Sequence, residues 1–202
     1  KYAVCAASLI ASLVVYLAYR PIGSDDLRNL RLEEAYACLA VICLFLALCA
    51  GPLYRLWPGL PLKRLHLPAL GGFGLAAFYY AALHASINFF DLLKGFAGIG
   101  FLGSLHSRSL SLAAMALLIL AVMAASSQEP LRTKLGSAWK RLQRFVYLAL
   151  AFIVAHVLMI GTHFRRLDNL FAAVTLILFA SLLALYAAAT KRYLTGRYPR
   201  VA

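Results

Sequence analysis

The sequence predicts an all-α integral membrane protein built as a bundle of six transmembrane helices. Three observations carry that expectation. Of the 202 residues, 63% are hydrophobic and only 13% are charged, with a mean hydropathy of +0.81, whereas soluble domains are nearer half apolar and a quarter charged. The apolar excess is gathered into long uninterrupted runs. The Lys and Arg residues fall in the short stretches between those runs, as membrane topology requires.

The runs are residues 2–19, 35–54, 69–93, 109–126, 144–162 and 169–189. Each approaches or exceeds the ~20 residues needed to cross a hydrocarbon core. Lipid offers the backbone no hydrogen-bond partner, so a spanning run must be helical. Pro21, the Gly51 to Pro61 stretch GPLYRLWPGLP, Pro68 and Pro130 are expected at or outside helix ends. The first run, Tyr2 to Tyr19, is long for a signal-peptide core and has no small-residue cleavage pattern before Arg20. It is expected to be a retained helix. No run of residues here is long enough for a soluble catalytic domain, so function is expected inside the bilayer or at its faces.

A net charge of +13 could suggest nucleic acid. The basic residues sit in loops, however, and no RNA-binding motif or basic helix with interleaved aromatics is present, which argues against that class. Cys5, Cys38, Cys43 and Cys49 all lie in apolar runs. With no CxxC and no CxxCH, a thiolate zinc site and covalent haem attachment are both disfavoured, and packing is the default role.

Orientation follows from the loop charges. Lys1, Arg55, Lys63, Arg64, Arg132, Lys134, Lys140, Arg141, Arg144, Lys191, Arg192, Arg197 and Arg200 fall on one side. Arg20, Arg28, Arg31, Lys94, Arg108, Arg165 and Arg166 fall on the other, where the first loop also carries Asp25, Asp26, Glu33 and Glu34. The positive-inside rule makes the richer side cytoplasmic, with both termini inside.

The third and fifth runs then point the same way, from inside to outside. His84 lies in the third and His156 in the fifth. At 1.5 Å per residue both are roughly 20 Å from the cytoplasmic ends of their helices. An ionisable residue at membrane depth is a functional candidate by default, and two ligands for one metal must meet at one level. These two can. The chemistry that fits is a b-type haem with an axial ligand from each of two facing helices and an apolar slot for the macrocycle. Gly71, Gly72 and Gly74 would let a flat cofactor or a neighbouring helix approach. Phe78, Tyr79, Tyr80 and Phe152 could wall the slot or could be ordinary core filler. Asn88, one turn after His84, is a candidate to orient that ring or to contact a propionate. His163, two turns after His156, could serve a more superficial group or a propionate, or be an interfacial residue. Arg108, Arg165 and Arg166 are further propionate candidates, against the plainer reading of headgroup contact. His66 and His106 are read as loop histidines. The plain alternative for His84 and His156 is a hydrogen bond to a neighbouring helix and nothing more. Zinc fits less well, because no third ligand shares the level.

The run LRTKLGSAWKRLQRFVYLALAFIVAHVL, from Leu131 to Leu158, resembles the signature of the ferric-reductase-like transmembrane superfamily. Its nearest branch is the haem-binding membrane subunit of the bacterial methionine sulfoxide reductase system (the MsrQ or YedZ type). The stretch KRLHLPALGGFGLAAFYYAALH, from Lys63 to His84, resembles that branch's basic loop followed by a Gly-rich, aromatic-rich helix. The likeness covers residues 35 to 190. It implies a six-helix haem b protein without its own flavin domain, with His84 and His156 on the family's ligand positions. It also implies electrons drawn from a cytoplasmic reductase or the quinone pool, with quinone or flavin as carrier, and passed to a periplasmic molybdoenzyme. Where the family has the first His of a thirteen-residue pair, this chain has Gln143, a poor ligand for haem iron. One haem is therefore expected and an inner second haem is doubtful, which leaves roughly 20 Å between the haem and the cytoplasm at helical rise.

The expected organisation is residues 1–34 as the first helix and a charged outer loop, 35–190 as the haem-binding bundle, and 191–202 as a basic cytoplasmic tail. The expected function is that of a redox subunit in the bacterial inner membrane, working between an electron-donor and an electron-acceptor protein. A haem-poor structural or assembly subunit is the alternative. A self-contained metal reductase is a weaker one, because no nucleotide- or flavin-binding domain is in the sequence.

Overall fold

A computed structural model describes residues 2–160 and 170–195. Among these residues every regular element is helical, and six helices are long and apolar enough to span a membrane. In order the helical elements among the described residues are α1 (Tyr2–Tyr19), α2 (Asp25–Leu56), α3 (Lys63–Ser86) with a π-helical continuation (Ile87–Leu92), a short α4 (Phe96–Ile99), α5 (Ser104–Ser126), α6 (Glu129–Leu135), α7 (Ser137–Gln143), α8 (Val146–Ile160) and α9 (Leu170–Leu194), with α7 and α8 together forming the fifth span. The six expected spans are all present, and the protein has the build of a multi-pass membrane protein.

Three boundaries differ from the sequence reading. Helix α2 begins at Asp25, where the Ser24 hydroxyl accepts from the Leu27 amide and Asp25 and Asp26 occupy the positive end of the helix. The charged segment expected as outer loop is therefore helix, and a division at 34/35 cuts through it. Pro52 lies inside α2 and Pro68 inside α3 rather than at their ends. Pro52 has no N–H to give the Leu48 carbonyl, and the Tyr186 hydroxyl of α9 donates to that carbonyl instead, at 3.2 Å. The fifth run starts on a turn, so its helix α8 begins at Val146. A turn at residues 144 and 145 separates α7 from α8, and Gly136 between α6 and α7 has φ +49°, a conformation costly to residues with a Cβ.

Helix α2 is the axis of the bundle, packed on α3 and on α9, while α5 packs on α8. The core is centred on Leu44, Leu48, Ala76, Ala77, Tyr80, Ala149 and Leu182. Helix α1 is held largely by hydroxyls: Tyr36 donates to the Ser12 carbonyl, Tyr80 to the Ser8 carbonyl, and Tyr79 meets the Ser12 hydroxyl at 2.9 Å. At one end of the bundle Arg192 donates to Leu56 O, satisfying a carbonyl in the last turn of α2. The C-terminal ends of α2 and α9 thus share a face, as alternate crossing requires.

Candidate functional site

His84 sits near the end of α3, where the helix widens into the π turn. Its Nδ1 lies 3.2 Å from the Glu33 carbonyl oxygen on α2. A carbonyl only accepts, so Nδ1 carries the proton and donates it. The Glu33 carboxylate stands behind the same nitrogen at 3.5 Å. The Asn88 amide donates to Glu33 Oε1 at 3.1 Å. In the π turn the Leu93 amide reaches back to the Asn88 carbonyl at 2.8 Å, one residue further than in an α-helix. Such turns recur at functional sites because they re-aim side chains within a continuous helix.

His156 is on α8 and faces α5. Its Nδ1 lies 3.0 Å from the Ser109 carbonyl oxygen, so it too is the protonated nitrogen. The Ser109 hydroxyl is fully buried. It lies 2.9 Å from the same Nδ1 and donates to the His156 carbonyl at 3.1 Å. A serine tucked against a facing helix in this way locks both the ring and the α5–α8 contact.

The partners of the two rings, Glu33 near the start of α2 and Ser109 near the start of α5, lie toward one end of the bundle, opposite the Leu56–Arg192 end. With Nδ1 as the donor in each ring, Nε2 is the atom that would ligate. Among the described residues α3 and α8 are linked through α5 and the common core rather than by an extensive face-to-face contact. A Cβ added at Gly71 or Gly74 would meet nothing within 4 Å. Imidazoles whose Nδ1 is fixed in this way are the kind of nitrogen ligand that a haem takes. Among the described residues no three His, Cys, Asp or Glu side chains converge on a metal position.

The aromatics divide. Tyr80 is buried, stacks on Tyr36 with centroids 6.2 Å apart and reaches toward α1, as does Tyr79. These two hold α1 and do not wall a slot next to α8. Phe78 packs against the core and Phe152 is half-buried. Asn88 acts on Glu33 rather than touching the His84 ring.

His66 departs from the sequence reading, since it lies in the first turns of α3 rather than in a loop. Its Nδ1 accepts from the Tyr54 hydroxyl and its Nε2 donates to the Leu46 carbonyl, both at 2.7 Å. With both nitrogens taken it has no ligating atom left. Gln143 donates to the Ser126 hydroxyl at 3.3 Å, tying α7 to the end of α5. His106 and Arg108 are exposed at the start of α5. His163, Arg165 and Arg166 lie outside the described residues.

Glu33 and Ser109 were not singled out by the sequence. Glu33 looked like one more acidic loop residue, and Ser109 like one of four serines around His106. The available signal was positional: both lie within a turn or two of an apolar run, on the side where His84 and His156 end.

Comparison with family models, with curated proteins and with solved structures finds no match for this chain. The functional reading therefore stands on the residues and their geometry.

Proposed function

We propose that this chain is a membrane electron-transfer subunit that holds one b-type haem between His84 and His156. The observation that carries the reading is the matched state of the two imidazoles. Each donates its Nδ1 proton to a main-chain carbonyl of a neighbouring helix, Glu33 for one and Ser109 for the other, and each keeps Nε2 for a ligand. Haem supplies one-electron transfer when bound there. The protein's part is to fix both rings, to exclude water with the apolar α3, α5 and α8 surfaces, and to connect the site to partner proteins at the membrane faces.

The distribution of Lys and Arg supports both termini on the cytoplasmic side, and the resemblance to the bacterial membrane subunit supports a bacterial inner membrane. The resemblance to the methionine sulfoxide reductase membrane subunit supports a periplasmic molybdoenzyme as electron acceptor, with a quinone or a flavin protein as donor. Gln143, held by Ser126, supports one haem rather than two. In this reading the chain is a redox subunit and not a self-contained enzyme.

The deciding experiment is a pyridine haemochrome assay on the full chain, purified from cells supplied with haem. One b-type haem per chain, with the low-spin spectrum of bis-histidine ligation, is the expected result. A chain that carries no haem, yet copurifies with membrane partners in fixed stoichiometry, overturns the reading in favour of an assembly subunit.

A further inference from the structure

The two histidines are held differently. Among the described residues the groups behind the His156 Nδ1 are neutral, the carbonyl and hydroxyl of Ser109. Behind His84 stand a carbonyl and a carboxylate, and both belong to Glu33. The Glu33 side chain is only 14% exposed. A carboxylate at that depth is costly unless its oxygens are engaged. Its engagements are with His84 and with the Asn88 amide. Among the described residues no Lys or Arg pairs with it, whereas its neighbour Glu34 is paired with Arg31 at 2.9 Å. Two helices therefore converge on one carboxylate. Helix α2 supplies it through Glu33. Helix α3 supplies both the ring it supports and, one turn on in the π segment, the amide that stops it swinging away.

We infer that Glu33 is the positioning residue of the His84 ligand, with Asn88 as the group that pins its carboxylate. The inference rests on the haem reading above. The carbonyl of Glu33 sets the tautomer and the plane of the ring. The carboxylate adds negative charge behind Nδ1 and makes Nε2 a stronger donor. Of the two candidate ligands His84 would thus be the stronger donor. A stronger donor favours the oxidised iron, so Glu33 holds the reduction potential of the site down.

The test uses the full chain, purified with haem. Glu33→Gln keeps the size and the main-chain carbonyl and removes the charge. The expected result is retained haem with a raised reduction potential, read as about a tenfold larger reduced-to-oxidised ratio at a fixed ambient potential. Its low-spin electron paramagnetic resonance signal shifts as well. Glu33→Asp moves the ratio back toward that of the unaltered protein. Asn88→Ala moves it in the same direction as Glu33→Gln but by less. Glu34→Gln leaves it unchanged. An unaltered ratio and signal in Glu33→Gln overturns the inference and leaves the haem reading intact. An unaltered protein without haem overturns the haem reading first. Should Glu33→Gln lose haem, retention by Glu33→Asp supports the role, and equal loss from both overturns it.

Discussion

The two ends of α3 use histidine in opposite ways. At one end His66 spends both ring nitrogens on Tyr54 and Leu46 and serves as a strut between α3 and α2. At the other end His84 spends one nitrogen on Glu33 and His156 one on Ser109, and among the described residues the second nitrogen of each has no partner. Depth in the membrane does not separate a structural histidine from a candidate ligand. The number of nitrogens left over does.

That contrast breaks most easily at the His84 end. His84→Leu and His156→Leu should each abolish haem retention, read as loss of the Soret band from purified protein, while His66→Leu keeps it. Haem lost equally from all three variants would erase the distinction. At the His66 end the expected effect is on stability. His66→Leu leaves the buried Tyr54 hydroxyl without its acceptor, a loss of about 1–3 kcal/mol, measurable as earlier unfolding in a denaturant titration in detergent. Tyr186→Phe is a smaller perturbation of the same region. It leaves the Leu48 carbonyl, freed by Pro52, without a donor, and should cost about 1 kcal/mol in the same titration. The smallest effect belongs to Gln143→His. Restoring a histidine there should leave the haem-to-protein ratio at one, because His66, the inner histidine of α3, has no free nitrogen to pair with it. A ratio of two would show that the inner end can be opened.

Much of this was legible in the chain, and the reasons are physical. Long apolar runs have one backbone solution in lipid, so six helices could be marked from hydropathy alone. His84 and His156 stood out because ionisable residues are rare at such depth. Their supports did not. Glu33 is 51 residues from His84 and Ser109 is 47 from His156, and no local pattern encodes a pairing across that distance. Helix α2 also begins ten residues before its apolar run, since a Ser cap and two aspartates extend a helix without adding hydropathy. That extension is the segment that carries Glu33. The same limitation misplaced His66, because α3 starts at Lys63 in a basic stretch that reads as loop.

The off-centre level of His84 and His156 has an electrical consequence. An elementary charge crossing a whole membrane exchanges ~2.3 kcal/mol with every 100 mV of potential. A charge brought to these histidines from the face that begins α2 and α5 crosses only a small part of that drop. One brought from the face of Leu56 and Arg192 crosses most of it. If the proposed electron-transfer role holds, the two directions of supply are unequal, and the second is coupled more strongly to the membrane potential than the first.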